Sequence, residues 1–169
     1  MAILYADIRK STEYVRTHSP AEVARRVNRF LDISTEAITE RDGFLLAFYG
    51  DCVLANWPPG FSGAAYVSKA VEAGRSMAEA SRVAGIPVGI GVHAGSAYMC
   101  SVRAQRGSFR DVSVFGEAVN TVARLSDSAE ACELLLSRAA AAAVGIDGPW
   151  ESLAIEGFDQ PVEVHRIQT

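Results

Sequence analysis

The sequence predicts an α+β domain with one mainly antiparallel sheet and helices packed on it, mainly on one face. Three observations carry that reading. Two long stretches have helical periodicity and readable ends. Between them lies an apolar hairpin. Further on, apolar residues alternate strictly with small ones, the period of a strand.

The elements follow in order. Ala2 to Asp7 is an apolar run ending on a carboxylate, a strand, and a short helix from about Ser11 to Arg16 comes after it. Ser19 as N-cap, Pro20 at the first helical position and Glu22 as capping-box partner start a long helix. Val23, Val27, Phe30, Leu31, Ala37 and Ile38 form its expected buried stripe, and Gly43 is expected to stop it. Phe44 to Tyr49 and Cys52 to Trp57 form the hairpin around Gly50-Asp51. After the Pro58-Pro59-Gly60 break, a second helix is expected from about Gly63 to Ala84, closed by Gly85. Val88, Ile90 and Val92 alternate with Gly89, Gly91 and His93 in a strand. A strand over about Asp111 to Phe115 leads through Gly116 into a helix from Glu117 to Leu125. Shorter strands, among them Leu134 to Leu136 and Val162 to Ile167, finish the chain, with a short helix at Ala139 to Ala143.

Length and composition set bounds. The 169 residues, 49% hydrophobic and 21% charged, suit a single domain over 1–169 with a core that needs no disulfide. Cys52, Cys100 and Cys132 are odd in number and widely spaced, as expected of buried thiols in a cytoplasmic, reducing compartment. No stretch approaches the roughly 20 apolar residues of a membrane span, so no membrane partner is expected. The net charge of −4 argues against duplex nucleic acid as a partner. Nucleotides remain compatible with it if metal ions neutralise their phosphates.

Asp7 ends the first strand and Asp51 sits in the hairpin turn. If those strands are neighbours, the two carboxylates meet at one end of the sheet, where mutual repulsion favours a divalent cation. Either residue alone is an ordinary strand-end or turn aspartate. Asn120 and Arg124, four apart, share one helix face.

Taken together these pieces resemble one family, the class III adenylyl and guanylyl cyclases. Ala6-Asp7-Ile8 followed by Ser11-Thr12 resembles the family's opening motif. Tyr49-Gly50-Asp51 with Cys52-Val53-Leu54-Ala55 resembles its second metal motif. Gly89 to Gly95 resembles the central strand. Phe115-Gly116-Glu117-Ala118-Val119-Asn120 with Ala123-Arg124-Leu125 resembles the transition-state helix. Glu156-Gly157 with Pro161-Val162-Glu163-Val164 resembles the C-terminal hairpin. The match runs in order over nearly the whole chain.

The resemblance implies a ferredoxin-like cyclase catalytic domain that converts a nucleoside triphosphate to a 3′,5′-cyclic nucleotide and pyrophosphate. It implies two Mg²⁺ or Mn²⁺ ions per active site, held by Asp7, Asp51 and the backbone carbonyl of Ile8. Asn120 would orient the ribose and Arg124 would stabilise charge on the α-phosphate. Metal residues and the Asn/Arg pair come from different subunits in this family, which implies a homodimer.

Several positions depart from the family. The base-reading Lys of purine cyclases, four residues before the second metal Asp, is Ala47 here. The second base-reading position, seven before the Asn, is Ser113; a Thr or Ser occurs there in some bacterial adenylyl cyclases. A guanine-type Glu/Cys pair is absent. Tyr49 lies two residues from Ala47 on one strand face, and either narrows the base pocket or packs in the sheet. A smaller pocket suits a pyrimidine, UTP ahead of CTP, and such chains are similar to the pyrimidine cyclases of bacterial Pycsar antiphage systems. An adenylyl cyclase with a relaxed pocket, or a degenerate domain without chemistry, are the alternatives. The triphosphate-gripping Lys of the C-terminal hairpin is Glu156. Arg9 and Lys10 either replace its charge or are solvated surface residues. His93 is expected to be a packed histidine.

Overall fold

The computed structural model describes residues 1–103, 110–154 and 160–168. Its elements are β1 (Ala2–Ile8), α1 (Ser11–Thr17), α2 (Pro20–Thr39), β2 (Phe44–Tyr49), β3 (Cys52–Trp57), α3 (Pro59–Ser62), α4 (Tyr66–Val83), β4 (Val88–Ala94) and β5 (Tyr98–Arg103). They continue with β6 (Arg110–Phe115), α5 (Glu117–Ser128), β7 (Glu133–Ser137), α6 (Arg138–Ala143), β8 (Glu151–Leu153) and β9 (Val162–Gln168). One sheet has the order β2-β3-β1-β4-β7-β9-β8, and β5-β6 form a separate ribbon. Within the large sheet β4 and β7 run parallel, and the other neighbouring pairs are antiparallel.

Strand β1 lies between β3 and β4 and is covered on both faces, which accounts for its unbroken apolar run. Ala2, Leu4, Ala6 and Ile8 join the main core with Val53, Ala55 and Trp57 of β3 and Val88, Ile90 and Val92 of β4. Helices α2, α4 and α6 close that core through Phe30, Ala70, Met77 and Ala140. The opposite face carries α5, whose Ala118 and Val122 pack on Ile3 and Leu54. The helices are therefore mainly on one face, with α5 alone across the sheet.

The glycines of β4 place α5. A Cβ at Gly91 would lie 2.5 Å from the Val122 carbonyl oxygen and 2.7 Å from the Ser126 nitrogen. The helix backbone thus rests directly on the strand, an approach that only a residue without a side chain permits. Gly91→Ala is expected to push α5 off the sheet and cost about 1–3 kcal/mol of stability, the usual range for overpacking. Chemical denaturation of the variant beside wild type measures it.

Helix ends follow their local chemistry, with two departures from expectation. The Ser19–Glu22 capping box is present: the Ser19 amide donates to Glu22 Oε2 at 2.8 Å, and the Glu22 amide to Ser19 Oγ at 3.3 Å. At the far end Asp42, not Gly43, takes the left-handed position, with φ 53°. Gly43 is required for space, since a Cβ there would meet the Trp57 ring at 2.6 Å. Helix α4 begins at Tyr66, later than the expected Gly63, because Pro59–Ser62 forms its own turn of helix and Gly63 (φ 77°) separates the two. Gly85 (φ 68°) closes α4 as expected, with the Ile86 amide donating to the Ser81 carbonyl at 2.9 Å. Strand β5 has no counterpart in the sequence reading.

Candidate active site

The antiparallel register of β1 and β3 sets Asp7 opposite Cys52, the residue after the hairpin turn. Asp51 therefore lies beside the end of β1, and the Ile8 amide donates to the Asp51 carbonyl at 3.3 Å. One ligand atom each from Asp7, Asp51 and Cys52 lie within 4.8 Å of one another. The sequence reading brought the two carboxylates together but took Cys52 as a buried thiol. Its signal was the register: a residue next to Asp51 that pairs with Asp7 must share Asp7's face. The Cys52 thiol donates to Asp7 Oδ1 at 3.3 Å.

The electrostatics suit a cation. Burial raises the Asp7 carboxyl above its ordinary range, and the Asp51 and Asp127 charges push the same way. The Cys52 hydrogen bond and the Arg9 guanidinium oppose this. Burial also pushes the Cys52 thiol up to about 11. Two clustered carboxylate ligands, one of them disfavoured as a bare anion, fit a divalent metal ion. Cys52, its pKa raised and its proton donated to Asp7, serves the pair as a hydrogen-bond donor in the absence of a metal.

Arg9 does not project freely. Its guanidinium pairs with Asp7 Oδ2 at 3.2 Å and donates to the Asp7 carbonyl at 3.3 Å, Ser126 Oγ at 3.4 Å and the Asp127 carbonyl at 3.3 Å. It lies flat on Gly89, where a Cβ would come within 2.7 Å of Nε. Ser126 Oγ in turn donates to the Gly89 carbonyl at 2.9 Å. One side chain thus ties the end of β1 to the end of α5. Lys10 is exposed, with a left-handed backbone at φ 56°.

Asn120 and Arg124 share the outer face of α5, while Ala118, Thr121, Val122 and Leu125 are buried beneath. Arg124 pairs with Asp127 at 3.5 Å and is otherwise open to solvent. The Asn/Arg pair therefore points away from its own sheet. Ala47 pairs with Leu54 and Tyr49 with Cys52, which sets both on the α5 face of the sheet despite a register shift at Leu45/Ala47. Ala47 packs against the second core, but Tyr49 is 64% exposed and does not pack in the sheet. Ser113 is in β6, which runs beside β2, and its neighbour Val114 packs into the same cluster as Ala47. His93 is a packed histidine: its Nδ1 meets Ser137 Oγ at 2.8 Å, and burial lowers its pKa. Glu156 lies outside the described residues. Among the described residues no helix is long and apolar enough to cross a membrane.

The sheet, the lone α5 across it and the acidic end of β1 define the architecture of a nucleotidyl cyclase catalytic domain. The family model for the adenylate and guanylate cyclase catalytic domain matches residues 1–148, and the chain belongs to that family, the class III nucleotidyl cyclases. It is 26% identical to an adenylate cyclase of Anabaena cylindrica over 99% of this chain and 36% of that protein. It is 30% identical to an uncharacterized protein of Mycobacterium tuberculosis over 97% of this chain and 32% of that protein. The chain thus spans about a third of the length of these curated relatives. Its fold resembles that of the adenylyl cyclase CyaB from P. aeruginosa, with a TM-score of 0.88 at 23% identity over 98% of this chain and 91% of that one.

Proposed function

We propose that this domain closes a nucleoside triphosphate into a 3′,5′-cyclic nucleotide with release of pyrophosphate, that it acts as a homodimer, and that it prefers UTP, then CTP. The observation that carries the reading is the Asp7–Asp51 pair, gathered at the end of β1 with Cys52. Asp7, Asp51 and the Ile8 carbonyl would hold two divalent cations, Mg²⁺ or Mn²⁺. Such cations, when bound, supply Lewis acidity that favours the ribose 3′-oxyanion and neutralises phosphate charge.

The chain's own residues do the rest. The 3′ oxygen must attack the α-phosphorus in line while the bond to pyrophosphate breaks, so the ribose has to be held still. Asn120 supplies an amide for the ribose oxygens, and Arg124 a planar cation for the charge that grows on the α-phosphate. Both are exposed on α5, which supports their use by a second copy. Exposed apolar side chains at Tyr98 (70%) and Phe115 (52%), paired across β5-β6 next to α5, support an interface there. Lys10 is an open cation for phosphate, whereas Arg9 must leave Asp7 to reach one.

The pyrimidine preference rests on Ala47, Tyr49 and Ser113. Ala47 has no donor for a purine edge, and Ser113 offers one hydroxyl. The uncommitted Tyr49 ring, on the face of Ala47, is free to fill the space of a purine's second ring. An antiphage signalling role goes with that preference. The second reading is an adenylyl cyclase, favoured by the names of the relatives. Product formation from equal UTP, CTP, ATP and GTP distinguishes the two. Pyrimidine products are expected to lead by the roughly 1–3 kcal/mol that pocket size supplies. Tyr49→Ala is expected to raise the purine share; chiefly cyclic AMP from wild type, or an unchanged ratio in the variant, would refute the preference.

A further inference from the structure

Arg9 reaches two places at once. Its Nη2 donates to Asp7 Oδ2 at 3.2 Å and to Ser126 Oγ at 3.4 Å, and its Nη1 donates to the Asp127 carbonyl at 3.3 Å. Ser126 and Asp127 stand in the last turn of α5, where backbone carbonyls lack partners within the helix and a cation is favoured. Arg9 is thus both the counter-ion of one carboxylate of the pair and a cap on the helix that carries Asn120 and Arg124. Both oxygens of Asp7 accept hydrogen bonds in this structure, Oδ1 from the Cys52 thiol at 3.3 Å and Oδ2 from Arg9.

The two roles cannot be kept apart. One planar guanidinium makes all these bonds, and it lies pressed on Gly89, where a Cβ would come within 2.9 Å of Nη2. The Arg9 side chain is only 19% exposed, so its donors depend on these protein acceptors. A divalent cation on Asp7 would compete for the oxygen that Arg9 uses and would repel its charge. Because the guanidinium is rigid, turning away from Asp7 also breaks its bonds to Ser126 and to the Asp127 carbonyl. The turn so released is the one in which Asp127 pairs with Arg124 at 3.5 Å.

We propose that Arg9 is a positioning residue that couples the cation site to α5. It holds Asp7 and the last turn of the helix together until a divalent cation takes Asp7, and its departure then loosens the turn that holds Arg124. The proposal rests on the reading of Asp7 as a metal ligand, and adds a link from that carboxylate to the helix offered to the second copy. In the proposed homodimer the link would run from one site to the other, since Arg124 of each chain would serve its partner's site.

Two measurements on the whole chain, with no nucleotide added, test this: Mn²⁺ binding, followed by the electron paramagnetic resonance of the free ion, and hydrogen exchange of the amides at 126–129. Arg9→Met, which keeps the aliphatic stem, is expected to bind Mn²⁺ about tenfold more tightly than wild type, because no guanidinium competes for Asp7. In wild type, Mn²⁺ is expected to speed exchange at 126–129 by about threefold or more. Arg9→Met should exchange at the raised rate already and gain nothing from Mn²⁺. Arg9→Lys keeps the charge, but one ammonium cannot span Asp7 and α5, so its exchange should match Arg9→Met while its affinity falls between. Arg16→Met, which removes an exposed charge of α1, should leave both readings as in wild type. Asp7→Ala separates the outcomes: if it binds Mn²⁺ as wild type does, the metal reading fails and the coupling with it. If Asp7→Ala loses Mn²⁺, the coupling alone is overturned by an Arg9→Met chain that binds no more tightly than wild type, or by wild-type exchange at 126–129 that Mn²⁺ leaves unchanged.

Discussion

Asp7→Ala and Asp51→Ala are each expected to abolish cyclisation while the fold survives. The two carboxylates would supply the hard ligands at the end of β1, and no other acidic side chain joins the cluster among the described residues. Losing one removes a cation that would provide several kcal/mol of transition-state stabilisation, so turnover should fall by about a thousandfold or more. Stability should not fall with it. Burial and the neighbouring charges of Asp51 and Asp127 already disfavour the Asp7 carboxylate in the metal-free chain, and alanine removes that strain. The Asp7→Ala chain does lose the Arg9 pair at 3.2 Å, but Arg9 keeps its contacts to Ser126 and the Asp127 carbonyl. Thermal unfolding beside a product assay separates the two effects. Near wild-type turnover in either variant with Mn²⁺ would contradict the assignment.

An Asp7→Ala chain and an Arg124→Ala chain should each be inactive, yet recover activity when mixed. The reason is geometric. Arg124 lies on the outer face of α5, paired among the described residues with Asp127 and pointing away from the sheet whose end carries Asp7. In the proposed symmetric dimer one surface would serve both subunits, and each site would combine Asp7 of one copy with Arg124 of the other. A mixed dimer has one intact site and one doubly altered site. Random exchange makes half of the dimers mixed, so about a quarter of wild-type activity should return. Mass measurement of the mixed dimer shows that exchange has occurred. Exchange without recovery would contradict a shared site.

Most of the frame was legible because local signals agreed with tertiary ones. Ser19, Pro20 and Glu22 cap α2 as written, and Gly85 ends α4 in the left-handed turn its position suggests. The meeting of Asp7 and Asp51 followed from one topological assumption, that the first strand neighbours the hairpin. What stayed illegible depends on neighbours distant in sequence. Strand β5 was missed because the β5-β6 ribbon stands apart from the main sheet, so Tyr98 and Met99 on successive positions are both exposed and no alternation marks the strand. Gly43 looked like a stop signal, whereas the Trp57 ring sets its size. The sequence leaves Arg9 between a phosphate-binding cation and a solvated surface residue, because nothing local reveals that Gly89, eighty residues on, leaves a flat bed for its guanidinium. Cys52 lacked meaning until the register placed it opposite Asp7.

The central claim is that this domain turns a nucleoside triphosphate into a cyclic nucleotide. The most direct measurement incubates the pure chain with the four nucleoside triphosphates and Mn²⁺, then identifies every product by mass together with the phosphate species released. The account predicts a 3′,5′-cyclic nucleotide, with cyclic UMP leading, and one pyrophosphate for each cyclic product formed. Nucleoside diphosphate with inorganic phosphate, or no cyclic product from any of the four, would contradict it.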